Sequence, residues 1–262
     1  MTAATPLPSA LPSFGGFRLD GKRALVTGGG RGLGLAAGVA LAQAGAAVTL
    51  AARSGAELEA ACTAIREQGG SADALVLDVT DAAAVRRAVE SRPPYQILVN
   101  NAGMNRPKLL TETPDEDIDA VFALNVKATF YVAREVARSL QAAGLPGSII
   151  NVSSQMGHVG SPRRTLYCAS KHAVEGMSKA LAWELGPAGI RVNTLCPTFI
   201  ETAFTAPMFE DPAFRRFVVD KIALGRVGTI DEVMGPVVFL ASDASSLMTG
   251  SALMLDGGWT AA

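Results

Sequence analysis

Tyr167 and Lys171 stand four residues apart in the run Tyr167-Cys168-Ala169-Ser170-Lys171. In a helix that spacing places both side chains on one face, roughly 6 Å apart along the axis, so an ammonium can lie beneath a phenol without replacing it. A free phenol ionises near pH ~10, too high for proton exchange at neutrality, and a nearby cation favours its ionised form. The pair is therefore a candidate general acid and base. Ser154 precedes it, at the end of an apolar run, and can donate to an oxygen on which negative charge develops.

A glycine-rich stretch near the start, Thr27-Gly28-Gly29-Gly30-Arg31-Gly32-Leu33-Gly34, follows an apolar strand and opens a helix. In that setting Gly28, Gly32 and Gly34 let backbone approach a pyrophosphate at a helix N-terminus. Their Gly-x-x-x-Gly-x-Gly spacing departs from the usual Gly-x-Gly-x-x-Gly fingerprint, and a tight strand-to-helix turn without ligand is the alternative. The second apolar run ends Leu50-Ala51-Ala52-Arg53, with a guanidinium where an acid would hold an adenosine ribose. Arg53 with Arg31 suits a 2′-phosphate, so NADP(H) is favoured, with NAD(H) as the alternative. Past the third run, Asp78-Val79 can receive the adenine amino group, or Asp78 can cap the helix near Asp81. Asn100-Asn101-Ala102-Gly103 ends the fourth run with two amides and a glycine, types that satisfy strand-edge groups and let a ribose come close, or simply form a turn.

These residues need a scaffold. Short apolar runs at 24–27, 47–51, 74–77, 97–99, 148–152, 192–195 and 252–255 read as buried parallel strands. Helical patterns fill 33–44, 56–68, 81–90, 115–142, 165–185 and 231–240, with Gly45 and Gly69 where C-caps belong. Thr113-Pro114-Asp115-Glu116 and Thr229-Ile230-Asp231-Glu232 read as capping boxes. The alternation predicts a single-domain, doubly wound α/β (Rossmann) fold: a mostly parallel seven-stranded sheet, helices on both faces, and a ligand crevice at the carboxyl ends of the strands. Residues 1–18 read as a flexible tail and 19–262 as the domain. The Phe-, Pro- and Thr-rich stretch 198–222 breaks the alternation and reads as a lid over the crevice, or as a packed helical excursion.

Composition narrows the partners. A length of 262 residues suits one large α/β domain. A net charge of −1 without long like-charge blocks gives no nucleic-acid or membrane-surface footprint, which leaves a small molecule. Three scattered cysteines, Cys62, Cys168 and Cys196, form no CxxC pair, which argues against disulfides or a metal site and fits a reducing cytoplasm. The leader lacks the basic and apolar regions of a signal peptide, and no apolar run reaches the roughly 20 residues of a membrane span.

Taken together, Thr27-Gly28-x-x-x-Gly32-x-Gly34, Asn100-Asn101-Ala102-Gly103, Asn125, Asn151-Val152-Ser153-Ser154, Tyr167-x-x-x-Lys171, Pro197 with Thr202, and Asp256-Gly257-Gly258 resemble the short-chain dehydrogenase/reductase family, over residues 22–258. The resemblance implies a catalytic tetrad of Asn125, Ser154, Tyr167 and Lys171 beside a nicotinamide. In it Tyr167 is the acid in reduction and the base in oxidation, Lys171 also holds the nicotinamide ribose, and Asn125 helps hold a water leading to the lysine. Family spacing selects Ser154 over Ser153, which strand alternation turns the other way. Pro197, Ile200 and Thr202 fall where the family covers the nicotinamide, although Thr198 replaces the usual glycine after the proline. The resemblance also implies pairing of the long helices, with a homotetramer as the expectation.

Between the serine and the tyrosine, Gln155, His158, Arg163 and Arg164 border the expected substrate pocket, and Asn105 and Arg106 approach it from the fourth-strand loop. These polar types suggest reversible reduction of a ketone to a secondary alcohol on a small polar compound, a sugar or polyol derivative or an oxo acid. Reduction of a 3-oxoacyl thioester is the alternative among enzymes. A dinucleotide-binding regulator without turnover is the alternative of another class.

Overall fold

The computed structural model describes residues 15–202 and 205–261. The leader and most of the predicted tail lie outside the described residues, as do residues 203 and 204 of the predicted lid. Seven parallel strands form one sheet in the order β3-β2-β1-β4-β5-β6-β7. They are β1 (Arg23–Thr27), β2 (Ala47–Ala52), β3 (Ser71–Val76), β4 (Ile97–Asn100), β5 (Gly147–Val152), β6 (Ile190–Pro197) and β7 (Ala252–Leu255). Strand β1 pairs with β2 on one side and β4 on the other, so chain direction across the sheet reverses there and a crevice opens at the strand ends.

Strand alternation divides the core. Ala24 and Val26 of β1, Ile97 and Val99 of β4 and Ile150 of β5 pack into one cluster with Leu41, Leu58 and Val237. Their neighbours Leu25, Leu98 and Ile149 face the other way, against Val89, Val136 and Leu185. The first face is covered by α1 (Gly32–Gln43), α2 (Gly55–Glu67) and α8 (Asp231–Ala241), the second by α3 (Ala82–Glu90), α5 (Thr129–Ala143) and α6 (Thr165–Leu185).

The predicted helix 115–142 is not uniform. It runs as α4 (Asp115–Phe122), a π-helical segment Ala123–Ala128, then α5. Gly45 and Gly69, at positive φ, sit just past α1 and α2. Of the two expected capping boxes, the Glu232 carboxylate accepts from the Thr229 N–H at 2.8 Å. Thr113 does not cap: its hydroxyl donates back to the Leu109 carbonyl at 2.9 Å, and Pro114 precedes α4 without a side-chain cap. The stretch 198–222 is helical in part, with a 3-10 turn Ala206–Glu210 and α7 (Pro212–Val219). There the Phe199 ring lies 6.0 Å from Phe209, 5.7 Å from Phe214 and 6.0 Å from Trp259.

The fit of α1 against the β1 turn rests on missing side chains. A Cβ on Gly34 would collide with the Gly28 carbonyl, a backbone atom that cannot swing away, whereas one on Gly38 would meet the end of the Leu50 side chain. Gly34→Ala is therefore expected to cost about 3 kcal/mol of unfolding free energy and Gly38→Ala less than about 1 kcal/mol. Chemical denaturation reads both, and equal costs would contradict the packing described.

Candidate functional site

The β1 turn is held open from below. The Thr27 hydroxyl accepts the backbone N–H groups of Asn101 (3.0 Å) and Ala102 (3.1 Å), while the Asn101 amide donates to the carbonyls of Thr27 (3.0 Å) and Gly28 (3.3 Å). Asn101 thus ties the glycine turn to the end of β4. Thr27 was absent from the expected binding residues, and its signal was a threonine ending an apolar strand ahead of a glycine. Gly28 and Gly34 are filled in by neighbouring atoms, but the Cβ position of Gly32 meets nothing within 4 Å, and Gly32 takes a φ of 56°. Helix α1 begins there with no side-chain cap and no acid in its first turn, so its leading N–H groups face open space. Such a cradle fits an anionic pyrophosphate.

Next along the crevice, Arg53 follows β2 and is exposed, and Arg31, also exposed, lies 3.6 Å from Glu57. No carboxylate ends β2, so the residues present fit a 2′-phosphate. Asp78 accepts the Thr80 N–H at 2.9 Å and its hydroxyl at 2.7 Å, bonds that hold its carboxyl below the usual range, helped by the Arg53 charge. Asp81, not Asp78, caps α3, accepting from Ala83 and Ala84. The Val79 side chain is buried in the second core cluster, which leaves only its main chain to meet an adenine.

Buried amides dock α6 onto the sheet. Asn100 donates to Asn151 (3.0 Å), and Asn151 to Ser178 (2.9 Å). Asn125, in the π-helical segment and 1% exposed, accepts from the Met104 N–H (2.8 Å) and donates to the Met104 carbonyl (2.9 Å) and the Ser170 hydroxyl (3.0 Å). Ser170 in turn donates to the Tyr167 carbonyl at 2.8 Å. At Gly103 a Cβ would lie 3.3 Å from the Asn125 Oδ1 and 3.9 Å from the Lys171 Nζ, so this glycine keeps the crevice clear beside those two side chains.

The Lys171 Nζ donates to the Val152 carbonyl at the end of β5 (2.8 Å) and lies 5.5 Å from the centre of the Tyr167 ring. Ser154, just beyond β5, donates to Gln155 Oε1 (2.8 Å) and accepts from the Met156 N–H (3.1 Å). Asn125, Ser154, Tyr167 and Lys171 thereby converge from three elements. Burial pushes the Tyr167 phenol up to about 12, with the Ser154 hydroxyl and the Arg164 charge pulling the other way. Burial also pushes the Lys171 ammonium down to about 8. The expectation that a nearby cation favours the ionised phenol is not met by Lys171 in the absence of a dinucleotide. In the free chain, loss of hydration outweighs the charges around Tyr167.

Several expected pocket residues sit elsewhere. His158 turns toward Glu175 (3.4 Å) and Cys196 (3.6 Å), two helical turns past Tyr167, because the buried Glu175 carboxylate draws donors, Thr194 among them. Ser153 lies on that side too, beside Cys196. Arg106 pairs with Asp117, as does Lys108 (2.8 Å), so neither is free for a substrate. The Ile200 side chain is in the core and offers only its backbone, whose carbonyl receives the Thr205 hydroxyl. Thr202 bonds to Thr205 through both its N–H (2.9 Å) and its hydroxyl (3.1 Å). Pro197 ends β6, and the Thr198 hydroxyl that follows is buried without a partner among the described residues. Gln155 is buried beside Ser154, Arg163 is exposed, and Arg164 is buried within electrostatic reach of Tyr167.

Comparison with known proteins agrees with this arrangement. A family model described as enoyl-(acyl carrier protein) reductase matches residues 28–260. The chain is 41% identical over 239 residues to D-erythrulose reductase of Gallus gallus, covering 91% of this chain and 96% of that protein. It is 38% identical over 248 residues to gluconate 5-dehydrogenase of Gluconobacter oxydans, covering 93% and 96%. Among solved structures, a gluconate 5-dehydrogenase from Burkholderia cenocepacia in complex with NADP and tartrate superimposes with a TM-score of 0.91 at 38% identity, covering 94% of this chain and 98% of that one.

The Lys171 environment has a measurable consequence. The unfolded chain holds the lysine proton up to the ordinary 10.5, the folded chain only to about 8, so between those values the unfolded state binds more protons and stability rises with pH. Unfolding of the wild type and Lys171→Met at pH ~7 and pH ~10 should show the wild type gaining up to about 3 kcal/mol relative to the variant. A difference that does not change with pH would contradict the buried ammonium.

Proposed function

Because the chain belongs to the short-chain dehydrogenase/reductase family, we propose that it is an NADP(H)-dependent oxidoreductase that interconverts a ketone and a secondary alcohol on a small polar substrate. The observation that carries this reading is the meeting of the Tyr167 phenol, the Lys171 ammonium and the Ser154 hydroxyl at the carboxyl end of β5, along the crevice from the open Gly32 cradle. Sugar and polyol enzymes among its relatives, D-erythrulose reductase and gluconate 5-dehydrogenase, support the substrate class. Neighbours solved with NADP support the cofactor.

The N–H groups opening α1 and the Gly32 backbone would hold the pyrophosphate of a dinucleotide, Arg53 and Arg31 would receive its 2′-phosphate, and the main chain of residues 78 and 79 would meet its adenine. Hydride exchange with the substrate carbon is the chemistry such a group would supply when bound. Ser154 donates to the substrate oxygen, steadying its developing negative charge. Tyr167 delivers a proton to that oxygen in reduction and withdraws it in oxidation. Lys171, anchored on Val152, presents its remaining N–H donors toward the phenol and the ribose. Asn125 fixes the Met104 loop and the first turns of α6, so that these groups keep their spacing. A cytoplasmic homotetramer completes the proposal. Trp183 on α6, 86% exposed, and the exposed Phe130 on α5 support self-association, and no described helix is long and apolar enough to cross a membrane.

Tyr167→Phe should lower ketone reduction about 10²- to 10⁴-fold while NADPH still binds, read by steady-state rates and by quenching of protein fluorescence. Wild-type turnover would sink the assignment. Arg53→Asp should raise the KM for NADPH at least about tenfold and leave NADH use intact, through loss of a charge-assisted contact and gain of a repulsive one. An unchanged preference between the two cofactors would remove Arg53 from the site.

A further inference from the structure

Arg164 leaves the electrostatics of the site unbalanced. It is the residue before α6, three positions ahead of Tyr167, and it is 8% exposed. A guanidinium carries five donors and a fixed charge, and burying it without acceptors is costly. Arg191 shows the usual solution, donating to the Ser245 hydroxyl and to the carbonyls of Leu240, Ser242 and Met248. The Arg164 guanidinium makes no hydrogen bond or ion pair with any described residue. Its charge acts on Tyr167 and Cys168, so the guanidinium lies on the tyrosine side of the helix start. Its nitrogens are not among the side-chain atoms sealed from solvent, so the donors keep some contact with water.

The backbone holds this placement at some expense. Arg163, next in line, is the sole described non-glycine residue at positive φ, 61°. Its carbonyl accepts the Lys108 N–H (3.1 Å), which pins the loop after β4 to the loop before α6. Arg164 itself donates its N–H to Ser161 (3.2 Å) and accepts from the Cys168 N–H (2.8 Å), the first bond of α6. Two other cations of this region, Arg106 and Lys108, share the Asp117 carboxylate. Strain of this kind persists where the surrounding structure fixes a side chain for use.

We propose that Arg164 receives a carboxylate of the substrate, making the preferred substrate an anionic hydroxy or oxo acid of the sugar-acid type and not a neutral ketose. The inference rests on the reading of the site as a ketone reductase and deepens it. A carboxylate matches the guanidinium fork in two parallel bonds and supplies the missing counter-charge. With the acid end anchored at the start of α6, the ketone carbon comes to lie by Tyr167 and Ser154.

Wild type, Arg164→Gln and Arg164→Lys are compared with NADPH on 5-oxogluconate, on its carboxamide, which keeps the shape without the charge, and on a neutral ketohexose. The wild type should prefer the acid. Arg164→Gln should lower kcat/KM for the acid about 10- to 100-fold beyond a smaller loss shared by the two neutral substrates, the shared part reading the Arg164 charge on Tyr167, with partial recovery in Arg164→Lys. Equal losses on charged and neutral substrates would instead make Arg164 a positioning residue for Tyr167, and a wild type indifferent to the carboxylate would remove the contact; either overturns the inference. If no ketone is reduced at all, the enzymatic reading fails, and the Arg164 contact is read by gluconate binding to protein saturated with NADPH, a complex that cannot turn over. Binding weakened at least about tenfold in Arg164→Gln supports the contact, and absent or unchanged binding overturns it.

Discussion

An ammonium held against the Val152 carbonyl beneath a half-buried phenol is the constraint around which the rest of this molecule is arranged. Two ionisable side chains on one helix face have lost most of their water, and each is driven toward its neutral form, Tyr167 upward to about 12 and Lys171 downward to about 8. Neither shift helps catalysis alone. Together they make a site that responds strongly to added charge, because an electrostatic interaction in a dry, low-dielectric setting is worth more than in water. The scaffold therefore has to hold both groups in place against their tendency to rehydrate.

Three elements meet that demand. The end of β5 supplies the Val152 acceptor and the Ser154 hydroxyl from a strand buried on both faces. The amide relay from Asn100 through Asn151 to Ser178 fastens α6 to the sheet. The π-helical segment turns Asn125 inward, where a single amide secures both the loop after β4 and the first turns of α6. The glycine turn beyond β1 is coupled to the same frame through Asn101 and Thr27. Cofactor cradle and proton-transfer pair are thus two ends of one crevice, opened where the strand order reverses.

Much of this was legible in the sequence because it is local. Short continuous apolar runs located all seven strands, the third displaced by a few residues, and period-3.6 patterns located the main helices, including Thr165–Leu185 to the residue. The Tyr167–Lys171 pairing follows from helix geometry alone. What escaped depends on contacts between distant segments. The π-helical segment is invisible to a periodicity that continues smoothly on either side, and Thr113 looked like a cap until its hydroxyl found Leu109. His158 borders the pocket in sequence, yet the buried Glu175 carboxylate, seventeen positions on, claims its imidazole. Ile200 sinks into the core, and Arg106 is taken by Asp117. Arg163 and Arg164 were equivalent by type and position, and only the fold separates an exposed, strained residue from a buried, unpaired one.

Burial holds the Tyr167 phenol out of its working range, and positive charge brought beside it would restore that range. Tyrosine carbon NMR on protein labelled at the phenolic carbon, with Tyr167→Phe assigning the signal, measures this directly. Tyr167 should titrate near pH 12 in the free protein and roughly one to three pH units lower once NADP⁺ is added, the shift expected of an opposite charge at close range. A phenol that titrates near the ordinary value of 10, or at the same pH with and without NADP⁺, would contradict control of Tyr167 by burial and added charge.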